Sequence, residues 1–111
     1  MQQIRPFDKA GNFEYSIQMF VSVVLDPGGV ESAKSLATIL SRYSFKKIQR
    51  ACWECMSITE SQLANLKREI DSVTDYYDKL RIYQFPINES FAITELNHKK
   101  WRRCVIASNQ N

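Results

Sequence analysis

The chain has 111 residues, 15 of them Lys or Arg and 12 Asp or Glu, for a net charge of +3. This length suits one domain with a two-layer core and leaves little room for a second, and the mild basic excess permits nucleic-acid binding without demanding it. No apolar stretch approaches the roughly 20 residues that span a bilayer, and the polar start lacks a signal peptide's apolar segment, so the expectation is a soluble cytoplasmic protein with no membrane partner.

Residues 1–18, MQQIRPFDKAGNFEYSIQ, have no sustained period and carry Pro6 and Gly11 as breakers. They read either as a leader ahead of a start at Met19 or as an accessory arm with a short strand through Phe13 to Ile17. From Met19 the run MFVSVVLD is short, apolar and β-branched, and Pro27-Gly28-Gly29 bounds it, which predicts a buried strand rather than a helix. Asp26 is the only charge in that run. Two readings of it stand side by side: a carboxylate that caps the turn through the backbone, and a functional carboxylate delivered to a crevice at the strand's C-terminal end, with the glycines letting the chain pass closely before the next helix.

Val30, Ala33, Ala37 and Leu40 recur at helical spacing, with Leu36 and Tyr43 alongside, and predict a helix over about 30–43; Glu31 near its start and Arg42 near its end suit the helix dipole. Residues 45–56, FKKIQRACWECM, read as a second strand, basic at its start, with Trp53 as core. Lys46, Lys47 and Arg50 form the densest basic cluster before the C-terminus, either a solvated face or a phosphate-binding patch. Thr59-Glu60-Ser61-Gln62 spells a capping box. It opens a helix to about Thr74 on a stripe of Leu63, Leu66, Ile70 and Val73, with Lys67, Arg68, Glu69 and Asp71 expected to face water. LRIYQFPI then predicts a strand that Pro86 ends or assigns to an edge. Residues 91–96 and 103–107 are shorter strand candidates separated by NHKKWRR, and residues 108–111 form a polar tail.

Three cysteines, Cys52, Cys55 and Cys104, make an odd count without a secretory signal, so reduced thiols are expected. Cys52 and Cys55 have the C-x-x-C spacing, but on a strand positions three apart point to opposite faces and do not grip one ion. This alternation of elements predicts an α+β, ferredoxin-like split β-α-β sandwich over residues 19–107, with two helices on one face of an antiparallel sheet. The other face lacks a cover, and a second copy of the chain is the simplest one, which predicts a homodimer.

VSVVLD, then IQRACWE, then the Thr59-Glu60 helix start, then DKLRIYQFPI occur in an order that resembles the small CRISPR-associated adaptation proteins, the "Cas two" family, over about residues 19–87. The resemblance implies a ferredoxin-like homodimer that bridges two dimers of the CRISPR integrase (Cas one) and holds DNA during spacer acquisition, with a C-terminal strand that crosses to the partner's sheet edge. It also implies a divalent-metal nuclease activity in some members, with Asp26 at the catalytic and metal-binding position. Paired across a dimer axis, two such carboxylates would hold one Mg²⁺, or Mn²⁺ in its place. The family's aspartate is usually followed by basic residues, whereas here no Arg or Lys stands between Asp26 and Lys34.

Three functions follow as expectations. The first is a duplex-binding scaffold that uses Lys46, Lys47 and Arg50, joined by Lys99, Lys100, Arg102 and Arg103. The second is a metal-dependent endonuclease acting on RNA or DNA at Asp26. The third is a stand-alone ribonuclease toxin of the same architecture. The thin equipment around Asp26 ranks the scaffold first.

Overall fold

The computed structural model describes residues 2–5, 14–87 and 90–107. The proposed tail at 108–111 and half of the proposed arm, residues 1 and 6–13, lie outside them. The elements run β1 (Gln2–Arg5), β2 (Glu14–Asp26), α1 (Val30–Arg42), β3 (Lys46–Gln49), β4 (Cys52–Thr59), α2 (Glu60–Val73), β5 (Lys79–Ile87), β6 (Ser90–Asn97) and β7 (Lys100–Ala107). Six strands form an antiparallel sheet in the order β3-β4-β2-β5-β6-β7, and β1 pairs with the N-terminal part of β2. With α1 following β2 and α2 following β4, the β3-β4-β2-β5 portion is the ferredoxin-like arrangement.

β2 lies in the middle because its odd-numbered positions are all apolar. Met19, Val21, Val23 and Leu25 are buried against the helices, while Val24 and Asp26 on the opposite face are exposed. Leu36, Ile39 and Leu40 of α1 and Leu63, Leu66 and Ile70 of α2 close the core. Each such side chain contributes about 1.5–3 kcal/mol by leaving water. β2 starts at Glu14, earlier than the apolar run alone indicates, and pairs there with β1 from Gln2↔Ile17 to Arg5↔Glu14.

The helix ends follow from local chemistry. The capping box at α2 is complete: Thr59 Oγ1 accepts from the Gln62 amide at 3.1 Å, and Gln62 Oε1 accepts from the Thr59 amide at 3.0 Å. α1 ends in a Schellman-type closure. The Phe45 amide donates to Leu40 O at 3.0 Å and the Ser44 amide to Ser41 O at 3.1 Å, with Ser44 in the left-handed region at φ 67°.

Residues 45–56 are not one strand. They fold into the β3–β4 hairpin, turning at Arg50 and Ala51. Phe45 and Trp53 are both buried in the same core. A continuous strand would hold them about 27 Å apart at 3.4 Å per residue, so the chain must fold back. Cys52 pairs with Val24 on the open face, and Cys55 is buried beside Val21 on the helix face, so the two thiols do point apart. The C-terminal strand starts at Lys100 and pairs along its length with β6 of the same chain, from Asn97↔Lys100 to Ser90↔Ala107. No helix is long and apolar enough to cross a membrane among the described residues.

Candidate functional site

The pleat sorts the sheet into a helix-covered face and an open face. On the open face, β2 presents Phe20, Ser22, Val24 and Asp26, and the register sets Phe85, Tyr83, Arg81 and Lys79 of β5 opposite them in turn. One end of this face is aromatic: the rings of Phe20 and Phe85 lie 6.1 Å apart and those of Phe85 and Phe91 5.2 Å apart. The other end is charged. Arg81 pairs with Glu95 at 3.8 Å and donates to the Tyr83 hydroxyl at 3.3 Å.

Asp26 closes β2 at the charged end. It is exposed, sits opposite Lys79, and has no ion pair within 4 Å among the described residues. A shallow pocket of about 240 Å³ lies beside it, lined in part by Val24, Lys79, Arg81, Glu95 and Asn97. The Asn97 side-chain oxygen is buried without a hydrogen-bond partner there. One chain therefore offers two carboxylates, Asp26 and the Arg81-paired Glu95, and one amide oxygen among two cations. No cluster of three His, Cys, Asp or Glu ligands occurs among the described residues. A Mg²⁺ site is commonly built from one or two carboxylates and water, and Asp26 with the Asn97 side-chain oxygen provides oxygen donors of that kind.

The carboxylate that secures the Pro-Gly-Gly turn is not Asp26 but Asp78, at the end of the loop between α2 and β5. Asp78 is 2% exposed and accepts from the Gly28 amide at 2.7 Å, the Ser32 hydroxyl at 2.6 Å and the Asp75 amide at 2.8 Å. Burial alone would raise its pKa, but these donors outweigh it and hold the carboxyl below its ordinary range. Gly28 runs so close to this loop that an added Cβ would lie 2.7 Å from Tyr77 Cβ and 2.9 Å from Tyr77 O, whereas Gly29 faces open space. Sequence reasoning passed over Asp78; its only signal was an Asp in the short DYYD linker between a helix and a strand, which equally marks an ordinary turn.

Lys46, Lys47 and Arg50 are all exposed at the β3 edge. Lys46 stands opposite Glu54 on the open face, Lys47 opposite Trp53 on the other, and Arg50 in the turn, so they line one edge rather than form one patch. Lys99 has a structural role. From the β6–β7 turn, where His98 and Lys99 both have positive φ, its ammonium donates to Thr74 O at 2.8 Å and also to Asp71 O. α2 has no basic residue in its own last turn, and Lys99 supplies that charge to its C-terminus. His98 stacks on Tyr76 at 4.3 Å and fixes the same junction.

Glu69 and Asp71, expected in water, are half-buried and engaged. Glu69 accepts from the Tyr43 hydroxyl and from Arg42 at 2.7 Å, and these donors, Tyr43 foremost, lower its pKa. Asp71 accepts from Trp101 Nε1 at 2.9 Å and lies 3.4 Å from Lys99, and the Trp101 bond foremost lowers its pKa. Lys67 is likewise half-buried; burial, then Arg103, lowers its pKa.

No match was found among curated proteins or among solved structures. The model of the family described as CRISPR associated protein Cas2 matches residues 19–93, which takes in β2 from Met19 through part of β6 and both helices. With that match and the ferredoxin-like sheet, the chain belongs to the CRISPR-associated Cas2 family.

Proposed function

We propose that this chain is a homodimeric DNA-binding scaffold of CRISPR spacer acquisition, bridging integrase (Cas1) dimers while holding duplex DNA. The observation that carries the reading is the open sheet face. Its exposed Val24, Met56, Phe85 and Ile106 have no cover comparable to the helices on the other side, and a second copy is the cover that closes such a face symmetrically. Each edge of the sheet carries exposed cations, Lys46, Lys47 and Arg50 at β3 and Lys100, Arg102 and Arg103 at β7, suited to the phosphates of a duplex lying across it. The test is the salt dependence of duplex affinity after changing Lys46, Lys47 and Arg50 together to Ala. The log-log slope flattens by up to about 0.9 for each phosphate that is no longer neutralised; an unchanged slope makes the β3 cluster a solvated face.

A second reading, metal-dependent cleavage of RNA or DNA phosphodiesters, rests on the exposed Asp26 beside Asn97 at the end of the central strand. A Mg²⁺ or Mn²⁺ shared between two copies would be held by the two Asp26 carboxylates and would supply Lewis-acid chemistry and an activated water. The chain's own contribution is the Asp78 clamp, which holds the loop after Asp26 in place.

A further inference from the structure

α2 and β7 enclose a groove of about 620 Å³ on the helix-covered side of the sheet, away from Asp26 and the aromatic ridge. Lys67 and Arg68 line it from the helix, Trp101, Arg102 and Arg103 from β7, and Thr94 from β6. Its one acidic residue, Asp71, is already engaged by Trp101 Nε1 at 2.9 Å and by Lys99 at 3.4 Å, and Arg68 donates to the Asn65 side chain. Burial foremost, and then the neighbouring Arg103, lower the Lys67 pKa, while Glu60 acts in the opposite direction. Thr94 is 3% exposed, and its hydroxyl has no hydrogen-bond partner.

We propose that this groove binds the phosphate of a nucleotide, with Lys67 and Arg103 neutralising the phosphate and the Thr94 hydroxyl donating to it. A buried hydroxyl without a partner costs stability, and an anion in the groove supplies that partner while offsetting the charges of Lys67 and Arg103. A phosphate monoester carries about 1.5 to 2 negative charges near neutral pH, which answers several cations at one point better than a single carboxylate does. The volume falls within the roughly 300–1,000 Å³ of small-molecule sites, and Trp101 adds aromatic surface to the wall. The proposal deepens the nucleic-acid reading by adding recognition of a terminal phosphate, at a site separate from the β3 edge. The phosphate arrives either on a strand end or on a free nucleotide.

The test titrates the full chain with two short single-stranded DNAs of one sequence, one 5′-phosphorylated and one 5′-hydroxyl, with deoxyadenosine 5′-monophosphate as competitor. The phosphorylated strand is expected to bind about tenfold more tightly, the scale of a hydrogen bond to a charged group. Lys67→Ala with Arg103→Ala abolishes that preference. Thr94→Val weakens it while leaving the melting temperature unchanged or raised, which a merely structural hydroxyl would not do. Competition by the mononucleotide at comparable concentration identifies a free nucleotide as the ligand; failure to compete identifies the strand end. Equal affinity of the wild-type chain for both strands, a preference that survives the variants, or tighter capture of a glutamate-rich peptide overturns the proposal. The Lys46, Lys47 and Arg50 variant keeps the phosphate preference even if its duplex salt slope changes, so the two readings fail separately.

Discussion

The Asp78 carboxylate accepts the Gly28 amide at 2.7 Å across 50 residues of sequence, tying the loop that follows Asp26 to the loop that leads into β5. Removing it leaves the Gly28 and Asp75 amides without their acceptor. Asp78→Ala is expected to cost about 2–4 kcal/mol of stability at neutral pH, measured by urea unfolding.

The same carboxyl sets a pH dependence. Its folded-state pKa is depressed, so its stabilisation is complete above the unfolded value of about 3.9 and is lost as pH falls through the lower folded value. The stability gap between wild type and Asp78→Asn should therefore be widest above about pH 4 and narrow toward pH 2. A constant gap across that window would place the effect in packing rather than charge.

Gly28 and Gly29 are adjacent but not equivalent. Gly28→Ala forces a Cβ to within 2.7 Å of Tyr77 Cβ and is expected to destabilise by about 1–3 kcal/mol. Gly29 caps α1 in extended backbone at φ −165° without a side-chain bond, so Gly29→Ser should be neutral or stabilising within about 0.5 kcal/mol. Thermal melts of the two variants check this ordering.

If the open face is the dimer interface, the chain sediments near 26 kDa, about twice 12.9 kDa. Phe85→Glu places a charge between Phe20 and Phe91 and should weaken association at least about tenfold. A wild-type monomer at micromolar concentration would remove the interface.

Asp26→Asn separates scaffold from nuclease. It keeps the size of the side chain and removes its charge, so divalent-ion affinity and any hydrolysis should fall while fold, association and duplex binding persist. The scaffold reading expects spacer acquisition in cells to tolerate the change. Robust Mg²⁺- or Mn²⁺-dependent cleavage of RNA or duplex DNA that is lost together with acquisition in the variant would make this an enzyme first.

By itself the sequence determined the elements whose cause is local. The short apolar, β-branched run from Met19 to Leu25, bounded by Pro-Gly-Gly, specifies the central strand, apolar residues at three-and-four spacing specify both helices, and Thr59 with Gln62 specifies where α2 begins, because each signal is local in the chain. In α1, however, the buried stripe is Leu36, Ile39 and Leu40, while Val30 is exposed. The opposed directions of Cys52 and Cys55 follow from the pleat alone, and the motif order pointed to the family. Only the tertiary structure decided what depends on residues far apart in the chain. The β3–β4 turn exists because Phe45 and Trp53 must reach one core. Asp78, rather than Asp26, holds the Gly28 loop because folding brings the α2–β5 loop against it. Lys99, legible only as one more cation in NHKKWRR, becomes the cap of α2, and Lys67, Thr94 and Arg103 line one groove because β6 and β7 return beside that helix. Such pairings carry no periodicity: their energy comes from desolvation and charge at contacts that folding itself creates.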